Sequence, residues 1–242
     1  MVYHGEEGNL RLDKALSDQG IGTRKEVREL IIRGRIRVND ETVRKADRQV
    51  SEADQVLFDG NPVDLSPYEY WILYKTAGYL TATEDRNKPT VMELIPSKRK
   101  DLAPVGRLDL DTEGLLLVTN DGDLSHRLLS PKYHVEKTYY AELRSDLPEN
   151  AAELFSRPMS FSDFTAKPAD GFEKLSARSA RLTISEGKYH QVKRMFAKIG
   201  CEVLYLRREC FGPLNLQGLE PGEARKLTEE ESKNLKKSGD KP

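Results

Sequence analysis

A short stretch with two prolines, Asn61 to Glu69, divides the sequence into two parts with different patterns. Before it, apolar residues recur in short helical and strand-like segments. After it, longer strand-like segments alternate with helical ones, but without the regular period of βαβ units and without a glycine-rich loop after a strand. The pattern predicts an α+β fold with a small domain at residues 1–60, a linker at residues 61–69 and a second domain at residues 70–237. Residues 238–242 are expected to be a frayed tail.

The hydrophobic content fits a soluble protein with one or two cores. The chain has 242 residues, of which 37% are hydrophobic. Its longest apolar run is five residues, Tyr70 to Tyr74, whereas a membrane span needs about 20 and a signal-peptide core at least about 7. We therefore expect a cytoplasmic protein without a membrane partner. Cys201 and Cys210 do not form a CxxC pair, so free thiols are expected rather than a disulfide framework or a zinc module.

Charge is balanced overall but separated along the chain. There are 39 Lys and Arg residues against 40 Asp and Glu residues. Between Arg24 and Arg37 six basic residues face two acidic ones, and the stretch from Glu186 to Arg208 has the same balance, which is +4 in each case. Because charges beyond about 8 to 10 Å are screened in physiological salt, a polyanion responds to such local faces. Two such basic stretches favour a nucleic acid as the binding partner over the alternative that both are ordinary helix faces exposed to solvent.

The first part predicts two helices followed by strands. Leu12 to Gln19 is helical and is ended by Gly20. Thr23 is the expected N-cap of a second helix, which turns Val27 and Ile31 inward and its basic residues outward and ends at Gly34. The strands that follow are predicted at 35–39 and 56–58.

The second part predicts five strands and five helices. The strands are expected at 70–75, 114–119, 137–143, 180–186 and 202–207. The helices are expected at 90–95, 123–129, 148–155, 190–199 and 228–237. A mixed, mainly antiparallel sheet flanked by helices accommodates this order.

The first half of the stretch from Gly106 to Gly122 has carboxylates at three alternating positions, which are Asp109, Asp111 and Glu113. A calcium loop is disfavoured, because Asn120 occupies the position where an EF-hand has a bidentate Glu. A glycosidase pair is disfavoured, since Asp109 and Asp111 would point the same way on a strand, about 7 Å apart, with no aromatic platform for a sugar nearby. A third interpretation is an acidic loop that is exposed to solvent and precedes a buried strand. The residues alone do not exclude it.

The helix, basic helix and basic strand of the first part resemble the S4 RNA-binding domain. The resemblance covers about Leu10 to Gly60 and rests on Leu12-Asp13-Lys14, Thr23-Arg24-Lys25-Glu26 and Gly34-Arg35-Ile36-Arg37-Val38-Asn39. It implies that RNA is bound by the basic side chains of this unit, which are Arg24, Lys25, Arg28, Arg33, Arg35 and Arg37.

The acidic stretch resembles the signature of the RsuA and RluA group of pseudouridine synthases. Gly-Arg-Leu-Asp is followed at the family's spacing by Thr112, Gly114 and Thr-Asn-Asp-Gly. The resemblance implies that Asp109 is the essential catalytic residue and that Arg107 lies beside the flipped base. Tyr74 to Tyr79 departs from the Asn-Lys-Pro that usually precedes Gly-Tyr, which affects a turn rather than the chemistry.

Further motifs follow in the order of that family. Glu136-Lys137-Thr138-Tyr139 makes Tyr139 the expected active-site tyrosine, and Gly187-Lys188-Tyr189-His190-Gln191-Val192-Lys193-Arg194 makes Lys193 the expected partner of the aspartate. His190, Gln191 and Leu216 are implied as substrate-binding residues. Lys188 and Arg194 are implied as RNA-binding residues.

The S4-like unit and the whole set of motifs are most similar to the RsuA family. The resemblance implies isomerisation of a uridine in 16S ribosomal RNA, expected at uridine 516, by a monomer that acts on free rRNA or on a partly assembled small-subunit particle. Because the reaction has no net redox change, no cofactor and no metal are expected. The alternatives are a large-subunit 23S rRNA synthase of the same family and an inactive S4-type rRNA-binding or assembly protein. Asp109, Tyr139 and Lys193 together favour activity.

Overall fold

The computed structural model describes residues 10–239, in two compact units. The first contains residues 10–69 and 97–102, and the second contains residues 70–96 and 103–239. Residues 1–9 of the predicted first domain and residues 240–242 of the predicted tail lie outside the described residues. Within the described part of the chain, no helix is both long and apolar enough to cross a membrane.

The first unit consists of two helices and six short strands. In chain order these are β1 (Leu10–Arg11), α1 (Leu12–Asp18), α2 (Arg24–Ile32), β2 (Ile36–Val38), β3 (Glu41–Thr42), β4 (Gln49–Val50), β5 (Val56–Phe58) and β6 (Asn61–Val63). As predicted, Thr23 caps α2, and it forms a capping box with Glu26. Strands β3, β2, β5 and β6 form an antiparallel sheet in that order, and β1 pairs with β4.

The beginning of the predicted linker belongs to the first unit, so the linker prediction is wrong there. Asp59 and Gly60 have φ values of 50° and 83° and turn the chain into β6, which is the backbone that a two-residue hairpin requires. Pro62 is tolerated because β6 is an edge strand. Leu65 is buried in the core of this unit.

The second unit is built around one large sheet. Its strands are β7 (Tyr70–Lys75), β8 (Ala103–Pro104), β9 (Glu113–Thr119), β10 (Lys137–Leu143), β11 (Met159–Ser160), β12 (Thr165–Ala166), β13 (Gly171–Ser176), β14 (Ser179–Ile184), β15 (Val203–Phe211), β16 (Leu214–Asn215) and β17 (Ala224–Lys226). Its α-helices are α3 (Gly122–Leu129), α4 (Ala151–Phe155), α5 (Gln191–Lys198) and α6 (Glu229–Ser238). The helix predicted at 90–95 is a 3-10 helix at Val91–Leu94.

The order of strands confirms the predicted α+β class with a mixed, mainly antiparallel sheet. The main path is β13-β14-β10-β15-β9-β7-β17, with β8 and β16 paired at its side. Only β15 and β9 are parallel among these pairs. Ser238, predicted to begin the frayed tail, is the last residue of α6, and Thr228 caps that helix.

Strand β9 lies in the interior of this sheet and follows directly on the loop that carries Asp109. Leu115 to Val118 are all fully buried, which explains the continuous apolar run, since a central strand covered on both faces has no polar side. At Gly114, φ is +105°, and an added Cβ would lie 2.2 Å from the carbonyl oxygen of Arg208. The loop before β9 is therefore fixed against β15.

Candidate active site

The loop from Gly106 to Thr112 leads into β9 and carries Asp109. The side-chain hydroxyl of Thr81 donates to the carbonyl oxygen of Leu108 at 2.7 Å, and the backbone N–H of Leu108 donates to Thr81 Oγ1 at 3.2 Å. The N–H of Thr112 donates to the carbonyl of Asp109 at 3.1 Å. The backbone on both sides of Asp109 is thus held by hydrogen bonds within the protein.

A buried lysine at the end of β7 supports the same loop from within. Lys75 Nζ donates to the backbone carbonyls of Asp109, Leu110 and Thr112 at 3.0, 3.3 and 2.8 Å. The side chain is completely buried. Burial lowers the pKa of Lys75 to about 8, against the opposing attraction of the carboxylates of Glu113, Asp111 and Asp109. Three loop carbonyls converge on this one ammonium group, which therefore determines the course of the loop.

The carboxylate of Asp109 lies between two basic side chains from the segment at the start of α5. Its Oδ2 is 3.4 Å from Lys193 Nζ, and its Oδ1 is 3.3 Å from His190 Nε2. Lys193 makes a shorter contact of 2.6 Å with Asp111 Oδ1, and this hydrogen bond lowers the pKa of Asp111. One ammonium group therefore bridges two carboxylates, of which Asp111 is the more exposed, at 75% against 29% for Asp109.

His190 is brought to Asp109 by an unusual backbone conformation. It precedes α5 with φ 49° and ψ 30°, a left-handed conformation that costs a residue with a side chain about 1 kcal/mol or more. Gln191 stabilises this turn, because its side chain accepts from the N–H of Lys188 at 2.9 Å and donates to Glu186 at 3.0 Å. The exposed ring of Tyr189 stacks on His190 with ring centroids 3.8 Å apart.

An open cleft of about 80 Å³ lies next to Asp109. Its polar wall includes Arg107, Asp109, Lys188, His190, Gln191 and Lys193, and its apolar wall includes Leu108, Tyr139, Ile184, Val192 and Leu206. Tyr139, on β10, is almost buried, whereas Arg107 is exposed. The cleft thus places a flat aromatic side chain and a partly exposed carboxylate on one concave surface.

The structure brings most of the predicted site residues together. Asp109, Tyr139, Lys193, Arg107, His190, Gln191 and Lys188 all line the cleft. Gln191 differs from the prediction in that its amide is bonded within the protein. No hydrogen bond joins Arg107 to Asp111 or Glu113, whose carboxylates bond Lys193, Tyr205 and the N–H of Ala77 instead.

Two predicted residues have other surroundings. Leu216 does not line the cleft, because the turn at Gly212 leads the chain back through β16 and packs Leu216 against the core beside Leu214. Leu206, which the sequence did not single out, supplies an apolar wall instead. Arg194 is bonded to Asp163 and lies 4.7 and 4.6 Å from the rings of Phe161 and Phe164, so it fastens the β11–β12 hairpin to α5.

The predicted RNA-binding residues of the first unit are all exposed, but most have acidic partners. Arg24 and Arg28 bond Asp13, Arg35 bonds Asp59, and Arg37 bonds Asp40. Arg33 lies 3.7 Å from Glu29. The exposed surface is therefore less strongly positive than the count of basic residues in the sequence predicts.

Sequence reasoning missed Lys75 and Thr81 as supports of the loop that carries Asp109. Their partners are backbone atoms, which leave no pattern of residue types. One signal was present for Lys75, because it directly follows the apolar run Tyr70 to Tyr74 on a strand buried on both faces. A lysine in such a position needs internal acceptors. Among residues 10–239, no group of three or more His, Cys, Asp or Glu side chains is arranged to hold a metal ion.

Comparison with known proteins agrees with both units. Residues 69–198 match the family model described as RNA pseudouridylate synthase, and residues 10–56 match the S4 domain. A solved structure described as a pseudouridylate synthase superimposes with a TM-score of 0.66 and 36% identity, over 93% of this chain and 99% of that one.

Curated relatives extend over nearly the whole chain. Ribosomal small subunit pseudouridine synthase A of Escherichia coli is 43% identical over 92% of this chain and 98% of its own length. An uncharacterized RNA pseudouridine synthase of Aquifex aeolicus is 42% identical over 94% and 97%. Ribosomal large subunit pseudouridine synthase B of Bacillus subtilis is 36% identical over 95% and 97%.

Proposed function

Because the chain belongs to the RNA pseudouridylate synthase family and carries an S4 domain, we propose that it converts one uridine of 16S ribosomal RNA to pseudouridine, at uridine 516. The observation that carries the activity is the carboxylate of Asp109, held between Lys193 and His190 beside a cleft that Tyr139 lines. The higher identity to the small-subunit relative, 43% against 36%, supports 16S over 23S rRNA.

The reaction requires a carboxylate that is correctly placed at the sugar, and it requires no redox partner. The bond from C1′ to N1 breaks, the uracil turns, and C5 joins C1′, while C5 loses a proton and N1 gains one. Asp109 acts at the sugar, either as nucleophile at C1′ or as base at C2′. Lys193 and the rigid loop hold the carboxylate in place, which lowers the barrier by preorganisation. No cofactor is required, because electrons and atoms balance within the nucleoside.

The cleft can hold the detached base while it turns. Tyr139 offers a ring face to the uracil, and its hydroxyl can take part in removing the C5 proton. The uridine must leave the stack first, which costs a few kcal/mol unless another group fills the gap. Arg107 is exposed at the cleft and has no hydrogen-bond partner among the described residues, so its planar guanidinium is free to stack in the vacated position.

The substrate is rRNA, either free or in a partly assembled small-subunit particle, and the enzyme acts as a monomer in the cytoplasm. The second candidate is 23S rRNA, which the likeness to the large-subunit enzyme of Bacillus subtilis favours. Mapping pseudouridines in both rRNAs of a strain that lacks this protein decides between them. Loss of a modification from 23S rRNA alone would overturn the 16S proposal.

Activity is tested with the purified Asp109→Asn variant in a tritium-release assay. We expect no pseudouridine formation and RNA affinity within a few-fold of wild type, since the amide keeps the shape of the side chain but cannot serve as an anion. Asp123→Asn, at an exposed carboxylate in the first turn of α3, is the control and is expected to stay active. Turnover by Asp109→Asn would disprove the role assigned to Asp109.

A further inference from the structure

A single buried carboxylate in the first unit gathers three arginines. Asp13, in the first turn of α1, is completely buried. Arg11 donates to both of its oxygens, at 3.1 and 3.2 Å. Arg24 and Arg28, from the first two turns of α2, approach within 3.3 and 2.8 Å. Three guanidinium groups from two segments are thus oriented by one side chain.

The charges and donors at this cluster exceed what Asp13 requires. Three cations meet one anion directly, whereas Asp47 acts on Arg11 and Asp18 acts on Arg24 only at longer range. The hydrogen bonds to Asp13 use Nε and Nη2 of Arg11, Nη2 of Arg24 and Nε of Arg28. The other N–H donors of these arginines have no partner within residues 10–239. Their side chains remain about half exposed, at 44%, 51% and 50%.

A purely structural ion pair needs only one of these arginines. The buried carboxylate would be neutralised by the short contact with Arg28, and additional exposed pairs add little stability. Several guanidinium groups held in place by a buried anchor, with their remaining donors directed outward, are instead the arrangement that binds a tetrahedral oxyanion.

We propose that Arg11, Arg24 and Arg28 form a site for a backbone phosphodiester of RNA, and that Asp13 is a positioning residue that holds the three guanidinium groups in the binding geometry. This site extends the proposed function. It depends on that proposal only in assuming that RNA is the ligand. It adds Arg11 and Asp13 to the RNA-binding surface and gives the two arginines of α2 a common anchor.

Removing Asp13 separates positioning from simple attraction. Asp13→Asn takes away a negative charge from a polyanion site, so electrostatics alone predicts tighter RNA binding and a steeper dependence on salt. Positioning predicts the opposite, because the amide cannot bind three cations and the arginines lose their fixed geometry. We expect about tenfold weaker binding at about 0.1 M salt, as for loss of roughly 1.4 kcal/mol.

The arginines are tested by Arg11→Gln, Arg24→Gln and Arg28→Gln in the full-length protein. The probes are transcripts of 16S and 23S rRNA, with affinity measured across a salt series. Each variant should bind both RNAs several-fold more weakly and lower the log–log salt slope by about 0.7 to 0.9 for each phosphate that is no longer neutralised. The matched control is Arg144→Gln, at an exposed arginine that pairs with Glu202, and it should bind like wild type.

Each outcome bears on the proposal. Unchanged affinity and slope in all three arginine variants would overturn the phosphate site, and tighter binding by Asp13→Asn would overturn the positioning role. If Asp13→Asn does not fold, Arg11→Gln decides alone, since its half-exposed side chain can be shortened without opening the core. Because binding is measured on both rRNAs and without turnover, an error in the proposed target or activity would leave these results intact.

Discussion

The ammonium group of Lys75 donates a hydrogen bond of 3.0 Å to the backbone carbonyl of Asp109. The residue proposed to act on the sugar is therefore connected through its own backbone to a cation buried at the end of β7. The position of its carboxylate depends on a lysine that does not line the cleft. Lys75 thus makes the loop rigid before RNA is bound, which is what electrostatic preorganisation requires.

We expect Lys75→Met to lower the rate of pseudouridine formation by at least about tenfold, or roughly 1.4 kcal/mol. Methionine fills a similar volume, but it leaves the carbonyls of Asp109, Leu110 and Thr112 without their donor, so the loop can relax. Single-turnover rates measured with saturating enzyme separate this effect from RNA affinity, which should change little. Lys174→Met, at an exposed lysine on β13, is the control. A Lys75→Met enzyme with the wild-type rate would show that the loop keeps its geometry without the ammonium group.

The lowered pKa of Lys75 predicts opposite effects of alkaline pH on stability and on activity. Burial lowers the pKa from 10.5 to about 8 in the folded protein, so between these values the unfolded chain binds more protons. Relative to Lys75→Met, the free energy of unfolding should then rise with pH across this window, by up to about 3 kcal/mol at 1.36 kcal/mol per pKa unit.

Turnover should fall over the same range of pH, because a neutral amine has fewer N–H donors for the loop carbonyls and no positive charge. Denaturant unfolding of wild type and Lys75→Met at several pH values, together with rates at the same pH values, tests both effects. A stability difference that stays constant from pH 8 to 10.5 would mean that Lys75 titrates like an ordinary lysine.

Lys193 bridges Asp109 and Asp111, and the two carboxylates should differ sharply in their importance. Asp111 has the shorter contact with Lys193, at 2.6 Å, but it is mostly exposed and does not line the cleft. Asp111→Asn frees Lys193 to pair with Asp109 alone, so we expect turnover within about tenfold of wild type. Lys193→Met removes the cation from both carboxylates and should cost considerably more than tenfold. Equal losses in the two variants would indicate that Asp111, rather than Asp109, is the functional partner of Lys193.

Local patterns predicted the elements whose signals lie within a few residues. Thr23 and Glu26 mark the start of α2, and they form the capping box there. Strand β13 at Gly171–Ser176 was not predicted, because it is an exposed edge strand whose pairing with β14 supplies what its own sequence lacks. Strand β6 was missed because Pro62 is typical of a linker, although an edge strand tolerates it.

Tertiary pairing limits what charge counting can predict. The +4 balance from Arg24 to Arg37 omits Asp13, Asp40 and Asp59, which are outside that stretch and bond its arginines. The proposed active-site set was predicted through family motifs rather than local patterns, because Asp109, Tyr139 and Lys193 come from three distant segments. Lys75 was missed since its role is defined by backbone carbonyls, and Leu216 was misplaced since a motif does not show which way a turn leads.

Gly114 is the position where the loop of Asp109 enters β9, and Gly114→Ala should strongly destabilise the second unit. A Cβ there would lie 2.2 Å from the carbonyl oxygen and 2.6 Å from the nitrogen of Arg208, and φ is +105°. Both obstacles are backbone atoms on the parallel partner β15, so they cannot move aside as a flexible side chain could. We expect a loss of about 3 kcal/mol or more in unfolding free energy. Urea unfolding followed by fluorescence of Trp71, the single tryptophan, reports on this sheet.

Gly122→Ala is the control, because nothing lies within 4 Å of a Cβ added there and its φ is not positive. Its free energy of unfolding should match that of wild type or exceed it slightly. Gly114→Ala with wild-type stability would contradict the close approach of β9 and β15 that fixes the loop of Asp109.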